Sequence, residues 1–364
     1  MRKRSILLVL ILFMCGCDTA TDSFTSLFKS FDRQGMLSNI GNNSAIPAYN
    51  TAVSTAHLFN EQIDTFKTNP TPATLLQAQQ YWRLLNSFWR SCEVFGFGPL
   101  DYLLIKPRID DYHCNVTNIE THISAEPIID LGYINTVPVS DKGLVTAEYL
   151  LFGDGVQDPF TLLSTDTQRV NYLVAVGLSL EEKITQVRDE WISSGNNFIA
   201  TFISSDGNNV SSSIGKMINY EVMILDEIKN MKLGKPMGKF DASVIPNEVE
   251  SYYSHQSLTN IQANIISMRY IFEGNGGVGF YELLDHLGAK DNNGTLLSNK
   301  LETKFNEILY DFDNFTSPLD QAVVSDLTTC EILYQDVYDL YILVKVDMMN
   351  QLGLLLTFTD NDGD

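Results

Sequence analysis

Histidine and cysteine are scarce in this sequence, with five of each among 364 residues. Basic side chains are also few: 24 Lys and Arg stand against 45 Asp and Glu, which gives a formal net charge of −21. This acidity argues against a nucleic-acid partner, because binding to phosphates needs concentrated Lys and Arg. The shortage of His and Cys argues against a metal site rich in these ligands. Any bound metal would rely on carboxylates, which favour hard cations.

The N-terminus has the pattern of an export signal. Basic residues at positions 2–4 precede an apolar run at residues 6–14, which is far shorter than the roughly 20 residues needed to span a bilayer. Gly16 and Cys17 follow and resemble the lipidation site of a bacterial lipoprotein. We therefore predict a signal peptide at residues 1–16, a lipid anchor on Cys17 and a polar tether at residues 17–30. An ordinary cleaved signal peptide is the alternative.

A lipidated Cys17 predicts attachment to a membrane of the cell envelope, facing the periplasm or exposed at the outer membrane. Three cysteines remain in the body of the chain, Cys92, Cys114 and Cys330. They allow one disulfide in an oxidising compartment, or they are three buried free thiols.

The body of the chain reads as helical. Thr71 and Pro72 open a stripe of apolar residues at helical spacing that runs to Cys92, and similar stripes cover residues 214–228, 258–272 and about 318–352. Ser257 is placed as the N-cap of the third stripe. With 44% hydrophobic residues, the chain can bury a substantial core. We predict an all-α protein of two helical bundles, at residues 31–160 and 161–364, with the boundary in the polar loop 153–167.

Two acids fall on inward-facing apolar stripes. Glu93 lies one helical turn after Trp89, and Glu148 shares a face with Leu144 and Leu151. A buried carboxylate is costly unless it is paired, hydrogen-bonded or neutralised. Each acid is therefore either a functional group or the partner of a nearby cation, for which the candidates are Arg83, Arg90 and Arg269.

Four segments resemble the imelysin-like family in the same order along the chain. Residues 81–99, ending in Cys92-Glu93-Val94-Phe95-Gly96-Phe97-Gly98-Pro99, resemble its first signature, and residues 143–153 resemble its G-x-H-x-x-E motif. Residues 249–258 and 352–364 resemble a third block and the family's usual ending. One position departs from this pattern, because Val145 stands where the motif has His, and valine supplies no lone pair. We expect His255 to supply an imidazole instead.

The resemblance implies two helical bundles with a site at their interface, in a family associated with bacterial iron uptake and labelled a metallopeptidase. The sequence contains no H-E-x-x-H motif, so we predict binding rather than peptide cleavage. The ligand-binding pocket is predicted from Glu93, Gly98, Pro99, Gly143, Val145, Glu148, His255, Ser257 and Arg269.

Within this pocket, Glu93, Glu148 and His255 would hold iron or another divalent cation, and Arg269 would balance charge. The expected partners are the membrane and an iron-transport system. One alternative is a metal-dependent hydrolase with Glu148 as its general base, and another is a receptor or scaffold with a degenerate pocket. Asp110, Asp111 and His113 form a further cluster that either binds a cation or lies in a solvated loop.

Overall fold

The fold is described by a computed structural model that covers residues 31–111, 113–291 and 293–357. The predicted signal peptide, Cys17 and the tether lie outside these residues. Within them the chain is helical and forms no β-strand, which confirms the all-α prediction. The α-helices are α1 Arg33–Ile40, α2 Ile46–Thr68, α3 Pro72–Glu93, α4 Pro99–Tyr102, α5 Lys106–Ile109, α6 Val116–Ala125, α7 Leu131–Thr136, α8 Gly143–Phe152, α9 Pro159–Thr165, α10 Thr167–Trp191, α11 Phe198–Ser204, α12 Ser213–Glu227, α13 Ser257–Glu273, α14 Phe280–Leu287, α15 Leu297–Asp311, α16 Leu319–Ser325, α17 Leu327–Ile342 and α18 Met349–Leu352.

Short turns of other helix types join several of these helices. The chain forms π-helical turns at Gly41–Ala45, Ile228–Gly234 and Leu343–Met348. It forms 3-10 turns at Val139–Asp141, Pro246–Glu248 and Phe312–Asn314.

Helix α3 follows the sequence prediction closely. The Thr71 side chain accepts a hydrogen bond from the backbone N–H of Thr74 at 3.2 Å, and Pro72 occupies the first helical position. The predicted stripe from Leu75 to Cys92 is buried, including Trp82 and Trp89 at 0% exposure. A capped start and a continuous apolar face make this helix a fixed element on which other parts of the chain pack.

Two helix boundaries differ from the prediction. Ser257 is the first helical residue of α13 and not its N-cap, because its hydroxyl donates to the backbone carbonyl of Glu250 instead of capping the helix. The long helix predicted near 318–352 is interrupted at Asp326, whose side chain caps the start of α17 by accepting from Thr329 N–H at 3.3 Å. A side-chain cap of this kind starts a new helix and so divides the apolar stripe.

The buried apolar side chains form one continuous cluster that extends from Met36 to Leu354. Helices α2, α3 and α10 pack together, and α8 packs against α3 and α10. Helix α13 lies on α3 from the later half of the chain. The predicted division at residue 160 stays a prediction. If the chain is divided in two, this packing places α10 with the earlier helices.

Cys92, Cys114 and Cys330 are free thiols in this structure. Across the described ranges, each helix is too short or too polar to cross a bilayer.

The turn between α3 and α4 depends on Gly98. Its backbone has φ +68° and ψ −113°, a conformation that favours glycine, and a Cβ atom would lie 2.4 Å from the Phe198 ring. Gly276 has a similar φ of +86°, but a Cβ there would meet no atom within 4 Å. The two glycines therefore compare a position where a Cβ atom would overlap a neighbour with one where it would not.

We predict that Gly98→Ala lowers the free energy of unfolding by about 3 kcal/mol, because strain and overlap with Phe198 act together. Gly276→Ala should cost about 1 kcal/mol, from strain alone. Urea denaturation of both variants measures the difference, and equal losses would contradict the contact between residue 98 and Phe198.

Candidate functional site

Arg90, in the last turn of α3, is the centre of a buried group of charges and is only 1% exposed. Its guanidinium lies 3.0 Å from Glu93 Oε1 and 3.1 Å from Glu250 Oε1. Both terminal nitrogens also donate to the Asp110 carboxylate. Lys232 adds a second cation, with Nζ 3.1 Å from Glu250 Oε1 and 3.9 Å from Glu93 Oε2. We call Arg90, Lys232, Glu93, Asp110 and Glu250 the Arg90 cluster.

The Arg90 cluster fully engages Glu93. Burial by itself raises the pKa of Glu93, but the nearby charges of Arg90 and Lys232 outweigh it and lower the pKa to about 2. Asn264 Nδ2 also donates to Glu93 Oε2 at 2.9 Å. Glu93 is therefore an ionised partner of two cations, and its role as a metal ligand stays a prediction.

Glu148 is buried as deeply as Glu93, with 1% exposure, but its surroundings differ. Its Oε1 accepts two hydrogen bonds from Ser254, one from the backbone N–H at 2.8 Å and one from the hydroxyl at 2.7 Å. Burial raises the pKa of Glu148 to about 7 against the opposing effect of these bonds. Its Oε2 has no hydrogen-bond partner among the described residues.

Glu148 lines a cavity of about 420 Å³ between α8 and the segment that precedes α13. Val145 lies one turn earlier on the same wall, where the motif has its histidine. The other lining residues are His113, Cys114, Asp154, Asn247, Glu248, Val249, Ser251, Tyr252 and Tyr253. Burial raises the pKa of the Cys114 thiol to about 12, so this thiol is protonated at neutral pH.

Several lining residues were missed from the sequence. The sequence pattern groups His113 with Asp110 and Asp111 in one cluster. In the structure, Asp110 belongs to the Arg90 cluster and His113 lines the cavity. Tyr252 and Tyr253 lie inside the third block of the resemblance. Their closeness to Glu250 in the sequence is the one feature that could have indicated them as residues of the site.

The predicted imidazole of His255 lies at a different place. His255 has φ +59°, and its Nδ1 is 2.9 Å from Oδ1 of the buried Asp320. The ring borders a second cavity, of about 400 Å³, together with Phe312 and Phe315. His255 is not among the residues that line the cavity at Glu148, although its neighbour Ser254 binds Glu148. Its expected role in place of the motif histidine stays a prediction.

The remaining predicted residues have structural roles in this molecule. Arg269 pairs with Glu273 one turn later, at 2.6 Å, on a partly exposed face of α13. Gly98 and Pro99 form the turn into α4. Gly143, with φ +87°, lets the start of α8 approach the backbone of Ile109, whose carbonyl oxygen is 2.6 Å from the position of a Cβ atom.

The three predicted metal ligands thus contact different partners. Glu93 binds Arg90 and Lys232, Glu148 binds Ser254, and His255 binds Asp320. In the part of the chain that the structure describes, no group of three or more His, Cys, Asp or Glu side chains is arranged to hold a metal ion. Binding of iron or another divalent cation stays a prediction.

Comparison with known proteins identifies relatives of this chain. A family model described as imelysin matches residues 45–338. The crystal structure of an imelysin-like protein from Psychrobacter arcticum 273-4 has a TM-score of 0.73 at 18% identity, over 90% of this chain and 97% of that chain. An iron-regulated protein A precursor from Parabacteroides distasonis ATCC 8503 has a TM-score of 0.74 at 18% identity, over 88% of this chain and 95% of that chain. No curated protein sequence matches significantly.

We predict that Arg90→Met lowers the free energy of unfolding by about 4 kcal/mol, because it leaves three buried carboxylates with fewer cations. Arg269→Met removes the partly exposed pair with Glu273 and should cost less than about 1 kcal/mol. Denaturant unfolding at neutral pH measures both variants. Similar losses would show that the Arg90 cluster contributes no more than a surface pair.

The raised pKa of Glu148 predicts a pH-dependent stability. The folded protein keeps a proton on Glu148 up to about pH 7, whereas the unfolded chain releases it near its ordinary value of 4.5. The contribution of Glu148 to stability is therefore greatest below pH 4.5 and falls by about 3 kcal/mol as the pH rises to 7. Glu148→Gln cannot ionise and should gain that amount relative to the wild type between pH 5 and 8.

Glu221 is the matched control for this measurement. It is also buried, and burial raises its pKa to about 8. Glu221→Gln should remove a similar change that extends to higher pH, whereas Glu148→Gln removes one that ends near pH 7. A Glu148→Gln profile parallel to the wild type over this range would contradict the assignment.

Proposed function

The chain belongs to the imelysin family, and from that premise we propose that it is a lipid-anchored protein of the bacterial cell envelope that serves iron acquisition by binding a ligand. The apolar run at residues 6–14 followed by Gly16 and Cys17 supports export and lipidation. The similarity to a protein named as iron-regulated supports the link to iron. Iron is proposed here as the cargo of the uptake process that the protein serves.

One observation carries the binding function. Glu148 lines a cavity of about 420 Å³, and its Oε2 accepts no hydrogen bond from the described residues. A carboxyl oxygen in this position can accept a hydrogen bond from a bound ligand or a water molecule. The two bonds from Ser254 hold the carboxyl group so that Oε2 is the atom available to a ligand.

The predicted metal ligands Glu93, Glu148 and His255 contact different partners. This arrangement favours a small molecule, free or complexed with metal, as the ligand over a bare metal ion. Glu93 is occupied by cations, and the Cys114 thiol keeps its proton at neutral pH, so neither is ready to coordinate a metal. A metal ion bound in the cavity would therefore be coordinated by Glu148 and by few other protein ligands. Titration of the mature protein with ferrous and ferric iron tests this. Near-stoichiometric binding that is lost in Glu148→Gln would support a metal ion as the direct ligand.

The hydrolase alternative has one specific observation in its favour, because the pKa of Glu148, about 7, suits a general base at neutral pH. The position one turn before it is Val145, which has no lone pair and so cannot bind a metal or hold a water molecule there. Glu148 therefore lacks the neighbouring imidazole that the histidine of the family's motif would supply. Peptide cleavage that is lost both in Glu148→Gln and with a chelator would favour the hydrolase.

We predict that a strain lacking this gene grows poorly under iron limitation and that the wild-type gene restores growth. Cys17→Ala should shift the protein from the membrane fraction to the soluble fraction. Glu148→Gln should remain in the membrane at the normal level and fail to restore growth, because the binding atom is changed. Growth with ample iron should be equal in all strains.

Glu221→Gln is the control for loss of a buried acid and should restore growth fully. Full restoration by Glu148→Gln would contradict a function of the cavity and favour a scaffold. Retention of the Cys17→Ala protein in the membrane would contradict the lipid anchor.

A further inference from the structure

We propose that the cavity over Glu148 recognises an organic cation, an ammonium or guanidinium group that donates N–H to the carboxylate and lies against tyrosine rings. This inference rests on the proposed binding function of the same cavity. It adds the chemical class of the ligand.

The charge of the lining favours a cation. Its described residues include three acids, Glu148, Asp154 and Glu248, and no Lys or Arg. The negative charge of Glu248 is balanced by Lys235, which does not line the cavity and whose Nζ lies 2.8 Å from Glu248 Oε2. The other two acids leave the cavity with a negative potential that attracts cations and excludes anions once Glu148 is ionised.

The cations behind Glu148 are held by other groups. Arg83 donates to the backbone carbonyl of Ser254 and lies over the Phe152 ring, with 4.5 Å between the guanidinium carbon and the ring centroid. Arg90 is surrounded by the three carboxylates of its own cluster. Neither arginine lines the cavity, so a ligand meets no Lys or Arg side chain there.

An aromatic wall supplies the second half of the recognition. The ring of Tyr253 lies 5.7 Å from that of Tyr252 and 5.7 Å from that of Tyr149, centroid to centroid. The faces of such rings attract a cation held within about 6 Å. Val145 adds an apolar contact where an imidazole, once protonated, would repel a cation.

A carboxylate and tyrosine rings that line the same cavity suit an N–H donor better than the other ligand classes. An anion would meet a buried negative charge, and a neutral hydroxyl would gain the hydrogen bond without the attraction to the rings. A bare metal ion requires several ligand atoms, and the described residues do not group them here. The same reasoning makes shape-matched probes of different charge the direct test.

The test uses the folded mature protein at pH 8, with phenethylamine, phenethyl alcohol and phenylacetate as probes of one shape and three charges. We predict by calorimetry or ligand-observed NMR that the amine binds about tenfold more tightly than the alcohol, and that phenylacetate does not bind. Glu148→Gln should abolish the preference for the amine and leave the alcohol unchanged. Tyr252→Phe should keep the preference, and Tyr252→Ala should reduce it.

Glu221→Gln, which removes a buried acid that does not line this cavity, should bind all three probes as the wild type does. Equal affinity for amine and alcohol, a preference that survives in Glu148→Gln, tighter binding of phenylacetate, or no binding of the amine would each overturn the proposal. The outcomes separate the two claims. Growth that depends on Glu148 without amine preference refutes this inference alone, whereas amine binding at Glu148 without a growth effect refutes only the role in iron acquisition.

Discussion

The buried guanidinium of Arg90 is the interaction on which the site depends. It joins α3 to Asp110 and to Glu250, and Lys232 joins Glu250 to the π-helical turn Ile228–Gly234 at the end of α12. A buried charge that loses its partner is strongly destabilising, so the cluster favours one relative position of these segments over others. The side chain of Asn86 extends the same link by donating to Ser251 and Asn260, which belong to the later part of the chain.

The cavity follows from this link. Glu250 is held in the Arg90 cluster, and four residues later Ser254 delivers two donors to Glu148 on α8. His255, next in the chain, is tied to Asp320 on the other side. The segment from Glu250 to His255 is thus held at both ends, and its tyrosines line the cavity together with Val145. The pKa values of the two inward acids shift in opposite directions. Nearby cations lower the pKa of Glu93, whereas burial raises the pKa of Glu148, which has no cation in contact with it among the described residues.

The spacing of apolar residues predicted those features that are determined within a single helix. The inward phase of Glu93 and Glu148 and the start of α3 at Pro72 follow from spacing within a few turns, and the structure agrees with them. The partners of the acids were not predictable in the same way, because Glu250 and Lys232 are distant in sequence from Arg90. The positive φ of His255 is set by its tertiary surroundings as well, so the sequence contained no sign that its ring would leave Ser254 for Asp320.

Burial of an acid is not by itself a sign of a site, as a comparison within this chain shows. Glu221 has a raised pKa like Glu148, and its Oε1 is a buried atom without a partner, yet it lines neither the cavity at Glu148 nor the cavity at His255. Glu148 differs because Ser254 binds one of its oxygens, the other accepts no hydrogen bond from the described residues, and the residue lines a cavity. Among the described residues, a carboxyl oxygen without a hydrogen bond, a cavity of ligand size and a raised pKa coincide at Glu148, and this coincidence, more than the cost of burying the acid, supports the proposal of binding at this position.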